Sequence, residues 1–214
     1  KVISMDDALN LVQTGDARKG KYICISFDDG YLDNYEIALP VLSEFGYKAH
    51  FFIITESIGK TKYIKSREGV CAEVAYMTET MIKDLLEKGH SIGSHTVNHN
   101  VMTKISSDKI EYELNESKKI LESKFKCNID SFAYPYSSYN KEVILLLNKL
   151  KYKYAFTLEL MSIRLINNSK CFKISRVSIK SNEPIDTLRK KILGYYDFSY
   201  YYTIIKRRIK LMYS

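Results

Sequence analysis

Two carboxylates stand side by side in Ser26-Phe27-Asp28-Asp29-Gly30, at the end of a short apolar run. Like charges this close repel, and a bound cation would remove the penalty. Asp-Gly is also a common turn signal, so the pair by itself is equally a solvent-facing bend. A second segment, His95-Thr96-Val97-Asn98-His99, places two imidazoles four residues apart. On a helical turn that spacing puts both on one face, within reach of one ion. The chain has four histidines, and His90, His95 and His99 cluster together. His90 reads as a loop residue closing a helix, and His50, in His50-Phe51-Phe52, as a satisfied core residue.

Two histidines and one aspartate would hold a metal with positions left open, and the spare carboxylate could serve as a base. Open coordination distinguishes catalytic from structural zinc sites. Metal binding lowers the pKa of water to about 7, within reach of such a base. This is the equipment of metal-assisted hydrolysis. A third segment, Phe132-Ala133-Tyr134-Pro135-Tyr136, adds a rigid turn after an apolar run. Proline removes one amide donor there. The amide of Tyr136 is then a candidate oxyanion donor. Tyr134, Pro135 and Tyr136 are candidates for substrate contact through their rings, against the alternative of an aromatic loop packed on the core.

In this order the three motifs resemble the polysaccharide deacetylases of the NodB-homology group, carbohydrate esterase family four. The likeness extends over roughly residues 21–180 and includes Tyr31-Leu32-Asp33-Asn34-Tyr35 and Gly89-His90-Ser91-Ile92-Gly93-Ser94. It implies a distorted, incomplete (β/α) barrel of about seven strands. It also implies Asp28 as general base, Asp29, His95 and His99 as ligands of a divalent metal, and the Tyr136 backbone as oxyanion donor. Zinc is the first choice of ion, with cobalt or nickel as alternatives. The implied partner is an N-acetylated polysaccharide or glycolipid, not a nucleic acid.

Two positions depart from that pattern. Many members carry an arginine where this chain has Ala133, and a late histidine as general acid; no histidine follows His99. Ile174-Ser175-Arg176-Val177 occupies the late region, and Arg176 is the candidate to hold Asp28 ionised in place of the absent arginine. A subgroup acting on β-1,6-linked poly-N-acetylglucosamine matches better; its acid histidine lies upstream of the first motif, in a Tyr-His segment not found between Lys1 and Asp28. Lys1-Val2-Ile3-Ser4-Met5 reads like the middle of an element, so an N-terminal piece is expected to be missing.

The elements that must position these residues alternate. Apolar runs at 22–27, 48–54, 91–93, 131–134, 154–157 and 172–179 read as strands. Helical spacing appears over 34–45, with Ile37, Val41, Leu42 and Phe45 on one side, from Thr78 to Gly89, over 106–125 behind a Ser N-cap, and over 141–150. Residues 56–76 show no period and read as a long loop. Buried strands between helices predict a parallel sheet with working residues at its C-terminal edge.

The 214 residues, 45% hydrophobic and 27% charged, fit one globular domain spanning 1–214. No apolar run is long enough to span a bilayer. The four cysteines, Cys24, Cys71, Cys127 and Cys171, form no CxxC pair, which argues against a cysteine zinc site. Much of the net charge of +8 comes from the segment after Asp186, which holds seven Lys or Arg and one Asp. Within it Phe198, Tyr201, Tyr202, Ile205, Ile209 and Met212 recur at helical spacing against Lys206, Arg207, Arg208 and Lys210. A basic amphipathic helix near 197–213 follows, suited either to an anionic membrane surface or to packing on the barrel. The first alternative places the chain at the cell envelope. Two other functions fit the same residues: a carbohydrate-binding protein that has lost catalysis, and an O-acetyl esterase or amidase.

Overall fold

The computed structural model describes residues 1–14, 16, 20–65, 71–158, 172–180, 182–193 and 195. Six parallel strands form one curled sheet: β1 (Ile25–Phe27), β2 (Ala49–Ile53), β5 (Ser91–Ser94), β6 (Ser131–Ala133), β7 (Tyr154–Thr157) and β8 (Ile174–Ser175), adjacent in that order. They meet through registers such as Phe27 beside Phe51, Phe52 beside Gly93 and Ala133 beside Phe156. Helices α2 (Leu39–Glu44), α3 (Glu79–Glu87), α4 (Ser107–Phe125) and α5 (Lys141–Lys149) lie between successive strands. This is the incomplete α/β barrel expected, with six parallel strands among the described residues.

Alternation along the buried strands separates two cores. Phe51, Ile53, Ile92 and Phe132 face the helices and pack with Met77, Leu85, Leu114 and Leu147. Phe52, Ala133, Phe156 and Ile174 point to the other face, where helix α1 (Met5–Thr14) covers them with Met5 and Leu9. Gly93 is required where β5 crosses this face, because a Cβ there would come within 2.7 Å of both His50 Nε2 and the Phe52 ring. Thr78 caps α3 by accepting from the Met81 N–H, and Asn140 caps α5 by accepting from the Val143 N–H. Ser106 occupies the N-cap position of α4 but makes no side-chain cap bond.

Several expectations are corrected. The stripe Ile37–Val41–Phe45 faces solvent, at 68, 51 and 60% exposure, while Leu39 and Leu42 are buried. Residues Asn34–Ala38 form a π-helical turn before α2. Its wider turn rotates the register, so spacing counted at α-helical pitch selects the wrong face. The expected loop at 56–76 contains an antiparallel hairpin, β3 (Thr61–Lys65) with β4 (Cys71–Ala75). Its side chains are largely exposed, so no apolar alternation betrays it. The late strand is shorter than 172–179, since only Ile174 and Ser175 pair. Val2 bridges to Ile23 in parallel. Helices α1 and α6 (Ile185–Ile192) were not anticipated. The basic amphipathic segment near 197–213, and Cys171, lie outside the described residues. Cys24, Cys71 and Cys127 are free thiols. Among the described residues no helix is long and apolar enough to cross a membrane.

Candidate active site

The three motifs meet where β1, β5 and β6 end. Asp29 follows β1 in the left-handed region, with φ 71°, and Gly30 continues the turn at φ 78°. This aims the Asp29 carboxylate at the end of β5, 3.4 Å from His95 Nε2 and 3.3 Å from His99 Nε2. One ligand atom from each of the three lies within 4.8 Å of the others.

The histidines do not share a helical face, contrary to expectation. Residues 95–100 form an irregular loop in which Thr96 and His99 take φ 69° and 59°. The His99 N–H donates to Thr96 Oγ1 at 2.8 Å, which folds the chain back and brings His99 toward His95. Their rings lie 4.8 Å apart. Of the seven non-glycine residues with positive φ among the described residues, four belong to the three motifs, Asp29, Thr96, His99 and Tyr136, and Ser137 directly follows the third. Such residues cost about 1–3 kcal/mol each and persist where the surroundings over-determine them.

The donor set fits a divalent ion. His95 Nδ1 lies 2.8 Å from the Ala133 carbonyl, which accepts its proton and leaves Nε2 as a lone pair facing Asp29. Asp29 Oδ1 is buried without a hydrogen-bond partner. A buried carboxylate oxygen left unpaired is costly. A cation held between it and the two imidazoles would satisfy it. Burial, followed by the neighbouring His95, keeps His99 below the usual histidine range, so its neutral ligand form prevails. Burial raises the pKa of Asp29, but the adjacent His95 and His99 outweigh it and hold the carboxyl low.

Asp28 is gripped from the far edge of the sheet. Arg176, directly after β8, donates from Nη1 to Asp28 Oδ1 at 2.6 Å and from Nη2 to Oδ2 at 2.8 Å. Nη1 also reaches Ser26 Oγ at 3.1 Å. The guanidinium rests 4.9 Å above the Phe52 ring and 5.9 Å from that of Phe156. Strands β1 and β8 are the two edges of the open sheet. The ion pair therefore bridges the gap that keeps the barrel incomplete. Burial pushes the Asp28 pKa up, and the charge of Arg176, then His95, Arg176's hydrogen bonds and His99, overcome this and hold it below the carboxylate norm. Ala133 lies in the same inner cluster as Phe156 and Ile174, so this chain brings its arginine from a strand two places along.

The third motif divides. Tyr136, 56% exposed, sets its ring 4.7 Å from that of His99. Its N–H is not spent on the turn, whose bonds run from the Ser137 N–H to the Tyr134 carbonyl and from Ser138 to Pro135. Tyr134 and Pro135 are corrected as substrate contacts. Tyr134 is 1% exposed and its hydroxyl donates to the Phe172 carbonyl, and Pro135 is buried beside it. The Tyr134 ring packs in an edge contact with Phe132 and tilted against Tyr139.

Of the remaining histidines, His50 lies buried in β2 and His90 in the loop that follows α3, as expected. His50 is held by Ser91 Oγ at 2.6 Å and Ser131 Oγ at 2.8 Å, and burial pushes its pKa down to about 3. His90 accepts from the Ala49 N–H, and its own N–H closes α3 on Leu85. Tyr31 and Tyr76, bridged to each other, were missed as site residues; burial and the charge of Asp29 hold both hydroxyls above the tyrosine norm. Tyr31 stands two residues after Asp29, a position the sequence did offer.

An open parallel α/β barrel thus carries, at its C-terminal edge, an Asp-His-His cluster that could hold a metal ion and, beside it, an aspartate held by an arginine. The polysaccharide deacetylase family model matches residues 15–155, so the chain belongs to that family. YxkH of Bacillus subtilis (strain 168), a polysaccharide deacetylase by name, is 33% identical over 139 residues, covering 65% of this chain and 45% of its own length. The poly-β-1,6-N-acetyl-D-glucosamine N-deacetylase of Staphylococcus aureus (strain MSSA476) is 29% identical over 185 residues, 84% of this chain and 63% of that protein. The chain thus spans less than two thirds of these relatives. The fold matches the Streptococcus pyogenes deacetylase PplD in complex with acetate, at TM-score 0.74 and 24% identity over 90% of this chain and 79% of that one. It also matches IcaB from Ammonifex degensii, at 0.74 and 20% over 91% and 81%.

Proposed function

We propose that the chain removes N-acetyl groups from an amino-sugar polymer or glycolipid by metal-assisted hydrolysis. The observation that carries this is the pairing of two unlike carboxylates. Asp29 turns an unpartnered buried oxygen to two imidazoles, while Asp28 beside it is fixed bidentately by Arg176. Asp29, His95 and His99 would hold the ion, with zinc the best fit to imidazole and carboxylate donors. When bound, it supplies Lewis acidity that makes a water easier to deprotonate.

The protein's own groups supply the rest. Asp28 accepts the proton of the attacking water on a carboxylate oxygen, which has lone pairs beyond those engaged by Arg176. Arg176 fixes the direction of that carboxylate and keeps it ionised. The Tyr136 N–H donates to the oxyanion that develops on the acetyl carbonyl. The Tyr136 ring, exposed and standing over His99, offers an apolar face to a sugar ring. The β-1,6-linked polymer named for the staphylococcal relative is the first substrate to try.

The test is acetate release from N-acetylglucosamine oligomers of β-1,6 and β-1,4 linkage, with zinc, cobalt or nickel added. Metal-dependent release that disappears in His95→Ala supports the reading. Metal binding without release from any oligomer would indicate a carbohydrate-binding protein, and release only from O-acetyl esters an esterase.

A further inference from the structure

Helix α4 turns two polar residues one turn apart, Glu113 and Ser117, into the interior with no exposed surface. A buried carboxylate is among the costliest groups in a fold unless hydrogen-bonded, and these bonds all end on one segment. Glu113 Oε2 accepts the Val97 N–H at 2.8 Å and the Asn98 N–H at 2.9 Å. Its Oε1 accepts the side-chain amides of Asn98 at 2.9 Å and Asn100 at 2.7 Å. Ser117 Oγ contacts Ser94 Oγ at 2.7 Å, and Ser94 Oγ accepts the Thr96 N–H. Residues 94–100 are the segment that presents His95 and His99.

The irregular form of that segment gives these bonds their meaning. Two histidines four apart on a helix are held by the helix's own repeating bonds. Here the backbone is non-helical, with Thr96 and His99 in the left-handed region, and no repeating ladder fixes their separation. The donors that a helix would satisfy internally are satisfied by Glu113. Four N–H donors on two oxygens use the side chain only as an acceptor, a role that glutamine, with an amide donor on one arm, cannot reproduce.

We propose that Glu113 is a positioning residue that sets the spacing and aim of His95 and His99, and through them the affinity of the site for a divalent ion. It touches neither imidazole and takes no part in the reaction itself. The inference rests on the metal reading above and deepens it. Loss of an outer partner of a metal ligand typically costs about 10–100-fold in metal affinity, and that is the effect expected of Glu113→Gln.

The experiment measures zinc affinity of the purified full chain by competition with a chromophoric chelator, independently of turnover. Circular dichroism and thermal melting of the metal-free protein run alongside. Leu121→Ala, a fully buried core truncation on the same helix, provides a variant that loses stability without touching the loop. The expected result is weakened zinc binding in Glu113→Gln and unchanged binding in Leu121→Ala. Should Glu113→Gln fail to fold, Asn100→Ala removes a single donor, with an expected loss of about 2–10-fold. Wild-type affinity in a folded Glu113→Gln or in Asn100→Ala, or equal losses in Glu113→Gln and Leu121→Ala, would overturn the proposal. If Glu113→Gln is unchanged while His95→Ala abolishes binding, the metal site stands and only the positioning role falls. Absence of zinc binding by the unaltered chain would overturn both.

Discussion

Arg176→Ala separates a catalytic base held by an ion pair from a base that needs none. In the native site the guanidinium lies 2.6 and 2.8 Å from the two Asp28 oxygens, and the paired side chains are 11% and 23% exposed. An opposite charge at such range lowers an aspartate pKa. Burial acts in the other direction and remains after the substitution. The acidic limb of the pH–rate profile for acetate release should therefore move to higher pH. Arg176→Lys should move it less, since charge is kept, but should lower the rate because a lysine cannot fix both oxygens. Stability follows the same sign. Asp28 has a depressed folded pKa, so the pair's contribution is present above the unfolded value, about 3.9, and is lost as pH falls through the folded value. The stability gap between wild type and Arg176→Ala should then be widest near neutrality and close in acid. Removing one partner of a buried pair costs about 3–5 kcal/mol, and the residual exposure of Asp28 places this case toward the lower end. The measurements are initial rates of acetate release from pH 4 to 9 and urea titrations over the same range. An unmoved acidic limb in a folded Arg176→Ala protein would refute the assignment and leave Arg176 as a strut across the barrel gap.

Three further outcomes follow from the site. Asp28→Asn should keep zinc while losing about 10²–10⁴-fold in rate, the usual share of general base catalysis; loss of zinc instead would make Asp28 a ligand. His95→Ala should lose bound metal and acetate release together, because His95 provides one of three donors, and stoichiometric zinc by elemental analysis would contradict the ligand assignment. His50, with its pKa pushed down to about 3 from 6.5, stays neutral when folded and charges when unfolded. Stability should thus fall by about 4 kcal/mol between pH 6.5 and 3, and urea titrations of His50→Gln should show a shallower slope; equal slopes would exclude His50 as the source.

Residue types and order alone determined the chemistry available to this chain. Asp28, Asp29, His95 and His99 are legible as a candidate set because adjacent carboxylates after an apolar run carry a repulsion that a cation would remove, and a histidine pair in a histidine-poor chain supplies ligands for one. The parallel α/β sheet was legible for a similar reason, since β2 and β5 to β7 are buried enough to read as apolar runs. Other features depended on geometry with no local trace. The π turn at Asn34–Ala38 rotates a helix by an amount that spacing cannot reveal, and the hairpin at 61–75 lacks a buried face. Tyr134 is indistinguishable in type from Tyr136, and only the backbone turn sends one ring inward and the other to the surface. Arg176 was offered by the sequence as the partner of Asp28, but only the fold brings residues 148 positions apart into contact, and the reach of Glu113 to the histidine loop crosses from a helix that reads as an ordinary amphipathic one. A sequence specifies which groups are present, while the strength of a charge–charge or hydrogen-bond interaction depends on separation and burial, and those were fixed by the curl of the sheet that brings its two edges together.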